Sequence, residues 1–216
     1  MGREVAIYLH IPKTGGMGMT DALKKAYPGG VQVFPNFVID AEIKLETRIV
    51  LGHLQFGCHK DIFPIGLRWR YLTMLRDPTE RFFSHWAYLK RQGRMELDLI
   101  ELLQSRKAIA DNMQVRMLVG KPWAEWSPVG QPVTEKDFKQ ATYNLAQYFD
   151  WVGVLEQHGR SVDHLSEILG ADLEKINTNR WTHRRELTVR ERAAIEKRHR
   201  WDRYLYNWAR GAYDYH

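Results

Sequence analysis

REVAIYLHIPKTGGMGMTDALKKAY, residues Arg3 to Tyr27, is the stretch on which the fold turns. Arg3 to His10 is a β-branched and aromatic run that stops at Ile11-Pro12, because proline cannot donate to a strand ladder. Lys13-Thr14-Gly15-Gly16 follows, then the helix-compatible run Met17 to Tyr27, closed by Pro28-Gly29-Gly30. Strand, glycine loop and helix in that order open an α/β unit. Two glycines let the backbone turn tightly with its amides inward, and the helix behind them adds its N-terminal dipole, so the loop suits an anion. Lys13 brings a mobile positive charge and Thr14 a hydroxyl donor. The nucleoside-triphosphate loop GxxxxGK[ST] places lysine after the glycines, whereas here it precedes them, which disfavours a kinase or ATPase. An ordinary glycine turn is the competing reading of this loop.

Outward from this unit, further strands are predicted at Arg48 to Leu51, ending in Gly52-His53, at Arg70 to Leu75, ending in Arg76-Asp77-Pro78, and at Trp151 to Leu155. Strands separated by helical or irregular crossovers predict an α/β fold in three layers, with a largely parallel sheet flanked by helices. Ligands then lie outside the carboxyl ends of its strands. Helices are expected near Thr79 to Arg91, Glu96 to Lys107, Ile109 to Leu118, Thr134 to Tyr148, Ser161 to Leu169 and Thr188 to Arg210. Thr134-x-x-Asp137 and Thr188-x-x-Glu191 read as capping boxes. Trp201, Leu205, Trp208 and Ala212 fall at helical spacing and are expected to face inward. Gly120 to Pro132 reads as a long loop.

Arg76-Asp77-Pro78-Thr79-Glu80-Arg81-Phe82-Phe83-Ser84 has the chemistry of a helix start, with Asp77 as N-cap and Pro78 in the first helical position. Those two, and Glu80, are explained as structure. Arg76 and Ser84 remain as a candidate receptor for a terminal phosphate, since guanidinium binds phosphate bidentately beside a favourable dipole. A surface ion pair for Arg76 is the alternative.

The chain has 216 residues, 44% of them hydrophobic and 12% aromatic, which is enough for one core, so a single domain over 1–216 is expected. The lone cysteine, Cys58, gives no internal disulfide. No stretch approaches a membrane span, and Met1 to Glu4 leads into a strand-like run instead of a signal-peptide core, so a cytoplasmic protein is expected. The net charge of +6 favours anionic partners. Arg184 to Arg203 holds eight basic residues against four acids, which keeps a nucleic-acid or polyanion-binding module open as the non-enzymatic alternative. Its opposite charges four apart also fit a solvated helix face.

Three patterns together resemble the carbohydrate-type sulfotransferase family, which includes heparan sulfate 2-O-sulfotransferase and many bacterial relatives. They are HIPKTGG from His10, Gly52-His53 with an aromatic at Phe56, and LRDPTERFFSHW from Leu75. Weaker echoes are Asp111 to Arg116 (DNMQVR), Phe149 to Glu156 (FDWVGVLE) and Asp202 to Tyr206 (DRYLY). The resemblance implies a fold related to the P-loop kinases. It also implies 3'-phosphoadenosine-5'-phosphosulfate (PAPS) as sulfuryl donor without a metal, and a hydroxyl-bearing acceptor such as a carbohydrate or small natural product. It places the 5'-phosphosulfate on Lys13, Thr14, Gly15, Gly16, Met17 and Gly18, and the 3'-phosphate on Arg76 and Ser84. His53 stands where the 2-O-sulfotransferases carry the histidine regarded as catalytic base. Relatives commonly continue Thr-Ser after the glycines where this chain has Met17-Gly18, so two hydroxyls are missing, and Thr20 one turn later is the candidate replacement.

Sulfuryl transfer needs a base for the acceptor proton and a cation for the leaving phosphate. His53 suits the first and Lys13 the second. A histidine that merely caps a strand end is the plainer reading of His53. His10 is read as ordering the loop and His85 as a surface residue. Trp123 and Trp126 are candidates for a lid or acceptor platform, or a loop held by aromatic packing. Arg180, Arg184 and Arg185 are candidate anion contacts, or a solvated basic loop.

Overall fold

The computed structural model describes residues 4–34, 42–62, 68–105, 111–120, 132–176 and 185–213. Five parallel strands form one sheet in the order β2-β3-β1-β4-β5. They are β1 (Glu4–Leu9), β2 (Val31–Phe34), β3 (Ile49–Gly52), β4 (Arg68–Leu75) and β5 (Phe149–Val154). Four of them lie where the sequence puts them. The exception is β2, a four-residue edge strand whose side chains are mostly half-buried, too short and too mixed to stand out in the sequence.

Helices cover both faces, as parallel strands buried on both sides require. α1 (Gly16–Ala26) and α7 (His158–Leu169) lie on the face that takes Ala6, Tyr8, Leu72 and Trp151. α5 (Met113–Leu118), α6 (Glu135–Tyr148) and α9 (Arg200–Ala212) lie on the face that takes Val5, Ile7, Leu9 and Val152. α3 (Pro78–Arg91), α4 (Leu99–Gln104) and α8 (Val189–Arg198) form a satellite core around Phe82, Phe83, Leu102 and Ile195. A short α2 (His59–Ile62) and a 3-10 turn at Leu155–Gln157 complete the described helices.

The capping boxes at Thr134 and Thr188 form as the sequence predicts. A third, Asp98 with Glu101, starts α4 three residues later than expected. The expected helix from Thr188 to Arg210 is instead two, broken at His199. The cause lies outside the segment: Asn112 Oδ1 accepts from the backbone N–H of both Trp201 and Asp202 at 2.9 Å, which caps a fresh helix. The break also turns the inward stripe, so Asp202, Leu205, Tyr206 and Ala209 are buried while Ala212 is exposed. Trp201 and Trp208 are half-buried against the core as expected. Residues 121–131, with Trp123 and Trp126, and 177–184, with Arg180 and Arg184, lie outside the described residues.

Candidate functional site

The carboxyl ends of β1, β3, β4 and β5 deliver His10, His53, Arg76 and Glu156 to one edge of the sheet. This is also the switch point of the topology, since the chain leaves β1 toward β2 and β3 on one side and returns to β4 on the other. Register holds the edge level: Leu9 pairs with Gly52 and with Thr73, and Thr73 Oγ1 donates to Leu9 O at 2.8 Å.

The glycine loop is shaped by contacts that leave no room for side chains. Gly15, at φ 89°, is the N-cap of α1 and gives it no side-chain cap. A Cβ on Gly16 would lie 1.8 Å from His10 Nε2, so the imidazole packs directly on the first turn of the helix. His10 thus orders the loop, as the sequence suggests, and its ring also meets His53 at 4.7 Å between centroids. Burial, then the nearby His53 and Lys13, push the His10 pKa down to about 3, so it is neutral at physiological pH.

Lys13 sits at φ 72°, a left-handed conformation that a non-glycine residue adopts at a cost. Arg76 holds it there by donating from Nη1 to Lys13 O at 3.0 Å. The Lys13 ammonium lies 4.6 Å from the centre of the Tyr88 ring, and Arg91 approaches the same ring at 5.9 Å. Burial, with Arg76 and Arg91 nearby, lowers the Lys13 pKa. Beneath the loop Arg81 is fully buried, with Nη1 donating to Pro12 O at 3.4 Å. Its pKa is lowered by burial to about 10, so it still carries a full charge under the loop.

The hydroxyls of this segment bond to its own backbone carbonyls. Thr14 Oγ1 donates to Ile11 O at 2.8 Å and Thr20 Oγ1 to Gly16 O at 2.7 Å. In this structure both hydroxyls bond inside the loop and helix. Gly16 and Gly18 are buried while Met17 is exposed.

Arg76 is fixed from three sides. Gln114 accepts from its backbone N–H and donates to its carbonyl, each at 3.0 Å. Next in sequence, Asp77 caps α3 by accepting from the Thr79 and Glu80 amides. Arg203 grips the Asp77 carboxylate with both terminal nitrogens, at 2.5 and 3.2 Å. Burial alone would raise the Asp77 pKa, but Arg203 and the two amides outweigh it and hold it low. The Asp77 amide donates to Glu156, whose other oxygen accepts from Tyr206 at 2.9 Å. Gln114, Glu156, Arg203 and Tyr206 all belong to the three weaker echoes, and here they form one brace around the turn after β4.

Ser84 lies half-buried in the second turn of α3. Its neighbour His85 is the clearest departure from expectation. The residue is half-buried: its Nδ1 is shut off from water without a hydrogen-bond partner, and burial, then Arg81, Lys13 and His53, push its pKa well below the usual histidine value. Arg81, His85 and Tyr88 are spaced four and three apart, a single helix face turned to the loop, and that periodicity was the available signal. Arg185 is held by Glu191 at 2.6 Å over the Phe83 and Trp86 rings, so it braces α3 and α8. Among the described residues, no group of three or more His, Cys, Asp or Glu is placed to hold a metal ion.

The same architecture occurs in the crystal structure of a sulfotransferase from Alicyclobacillus acidocaldarius, with a TM-score of 0.56 over 96% of each chain. The chain has a sulfotransferase fold. Sequence identity between the two is 14%, so the likeness is one of fold. No family model and no curated protein matches the sequence, and the carbohydrate subtype therefore rests on the motifs alone.

Proposed function

We propose that this chain is a single-domain sulfotransferase that moves a sulfuryl group from PAPS to an acceptor hydroxyl. The observation that carries the reading is the convergence of Lys13, His53 and Arg76 on one edge of a sulfotransferase fold, around a helix start without a side-chain cap. The residues present fit a bisphosphorylated nucleotide. Lys13, Arg76 and the buried Arg81 supply positive potential, and Gly15 and Gly16 let the loop pack on Leu155 and His10, which fixes its backbone at the start of α1. In this reading the loop Lys13-Thr14-Gly15-Gly16 and the first turn at Met17 and Gly18 hold the 5'-phosphosulfate, and Arg76 with Ser84 holds the 3'-phosphate. PAPS, when bound, supplies the activated sulfuryl group.

His53 accepts the acceptor's hydroxyl proton. The neutral ring of His10 beside it imposes no repulsion when His53 becomes charged. Lys13 stabilises charge on the leaving phosphate; its lowered pKa reflects desolvation, and desolvation strengthens that interaction. Thr14 acts through the loop geometry it fixes, since its hydroxyl is committed to Ile11. The acceptor class is a hydroxyl compound, a carbohydrate or small natural product. Among the described residues no helix is long and apolar enough to cross a membrane.

Calorimetric titration with 3'-phosphoadenosine-5'-phosphate tests the reading, beside ATP and 5'-AMP, in EDTA. Binding should depend on the 3'-phosphate, and Arg76→Ala should weaken it roughly ten- to a hundredfold, as expected for one charged hydrogen-bonding group. His53→Ala should abolish turnover and leave that affinity nearly unchanged. A preference for ATP restored by magnesium would overturn the proposal in favour of a kinase.

A further inference from the structure

A cavity lies away from this edge, between α4, α8 and the start of α9, with a volume of about 440 Å³. That is within the range of small-molecule sites. Its wall is apolar, formed by Leu103, Val133, Ala194 and the indole of Trp201. Its charge is one-sided. Arg190, Lys197, Arg198 and Arg200 line it, while Asp111 is the one carboxylate among the described lining residues. That carboxylate is already engaged by Arg116 and by the Val133 amide. Arg198 donates from Nη2 to Ser105 O, and the Arg200 guanidinium lies 4.7 Å from the centre of the Trp201 ring, a stacked cation at the mouth.

Neither Lys13, His53, Arg76 nor Ser84 lines this cavity. An apolar wall of this size buries a ring-sized body, and the cations beside it select a negative charge on that body. An ordinary solvated basic face offers the charge without the cavity; here both occur together.

From the joint presence of cavity and cations, we propose that this is a binding site for an organic anion with a ring-sized apolar body, carrying a carboxylate or sulfate. It is separate from the nucleotide site. The floor residue Asn112 also connects the two, because its Oδ1 holds the amides of Trp201 and Asp202, Asp202 accepts from the Gln114 amide, and Gln114 holds Arg76.

The probe for the test is 8-anilinonaphthalene-1-sulfonate, titrated by fluorescence and calorimetry at pH 7.5 against the folded protein. One saturable site is expected, which saturating 3'-phosphoadenosine-5'-phosphate does not displace. Binding should weaken at least tenfold in Lys197→Glu/Arg200→Glu, whose positions are exposed, and in Ala194→Trp, which fills the cavity. The uncharged analogue N-phenyl-1-naphthylamine should bind at least tenfold less well. Displacement by the nucleotide, equal binding of the uncharged analogue, or unchanged affinity in the charge-reversed pair would each overturn the proposal. Circular dichroism melting confirms the fold of each variant, and the charge-reversed pair decides the matter if Ala194→Trp fails to fold.

Discussion

Replacing Gly16 by alanine adds one methyl group where the His10 ring already stands. The new Cβ would lie 1.8, 2.1 and 2.2 Å from three ring atoms, where ordinary contact begins near 3.4 Å. The ring has little room to retreat, because His53 lies against it and the His10 amide is tied to Gly52 O at 2.8 Å. Overpacking of a closed site costs about 1–3 kcal/mol, and the rigid surroundings put Gly16→Ala toward the upper end. Against this stands a gain of up to about 1 kcal/mol for alanine over glycine in a helix. A net loss of about 2 kcal/mol should lower the urea midpoint by about 1 M at a slope of 2 kcal/mol/M. His10→Ala removes the obstacle, so in that background Gly16→Ala should cost nothing or stabilise. Urea unfolding of the wild type, both single variants and the double variant at pH 7.5 gives the coupling, expected at about 2–3 kcal/mol. Equal cost of Gly16→Ala in both backgrounds would refute the packing of His10 on the loop.

Acid should weaken the fold through His10. Its folded pKa of about 3 lies below the unfolded value near 6.5, so the unfolded chain binds more protons between the two and stability falls as pH drops below 6.5. By pH 5 that loss is about 2 kcal/mol. His10→Phe keeps a ring and lacks the proton site. Its urea-derived stability relative to the wild type should therefore improve by about that amount from pH 7.5 to 5, and a constant difference would contradict it. Arg203→Lys loses the two-pronged grip on Asp77 and the contact to Thr79 Oγ1. The half-exposed setting limits the cost to about 1 kcal/mol. Calorimetry should show weaker binding of the 3',5'-bisphosphate with 5'-AMP unaffected; equal loss for both would place the brace elsewhere. Tyr88→Leu removes the ring under the Lys13 ammonium, worth about 0.5–2 kcal/mol. Nucleotide affinity should drop several-fold in Tyr88→Leu and hold in Tyr88→Phe, whereas a loss shared by both variants would point to the hydroxyl.

Strand, loop and helix from Arg3 to Tyr27 were legible because every cause is local: a β-branched run, a proline stop, two glycines and a helical run closed by Pro28. The Asp77 cap and the boxes at Thr134 and Thr188 were legible for the same reason. What escaped has distant causes. α8 ends at His199 because Asn112, 89 residues before Trp201 in the chain, caps the next helix. Nothing within Thr188 to Arg210 announces the break. His85 is half-buried, with its Nδ1 shut off from water, because α3 is pressed against the loop after β1, a fact of packing, although its spacing from Arg81 and Tyr88 marked the face. Thr14 looked like a ligand donor because its own carbonyl partner, three residues back, becomes an acceptor only once the loop has turned.

The weaker motifs acquire a physical meaning that their sequence alone did not show. DNMQVR, FDWVGVLE and DRYLY were flagged by likeness only. In the fold, Gln114, Glu156, Arg203 and Tyr206 from these three segments converge on Arg76 and Asp77. In the proposed function Arg76 meets a phosphate, and a guanidinium in that role loses less on binding if its backbone and its neighbour are already fixed. The motifs that most resemble a binding signature, at Lys13 and Arg76, and those that resemble it faintly thus have different duties. The first present charge, and the second hold the turn that presents it. The division makes a claim on mutants: substitutions in the brace should lower affinity together with stability, whereas Arg76→Ala should lower stability only by its lost bond to Lys13 O, about 1 kcal/mol, and lower affinity by more.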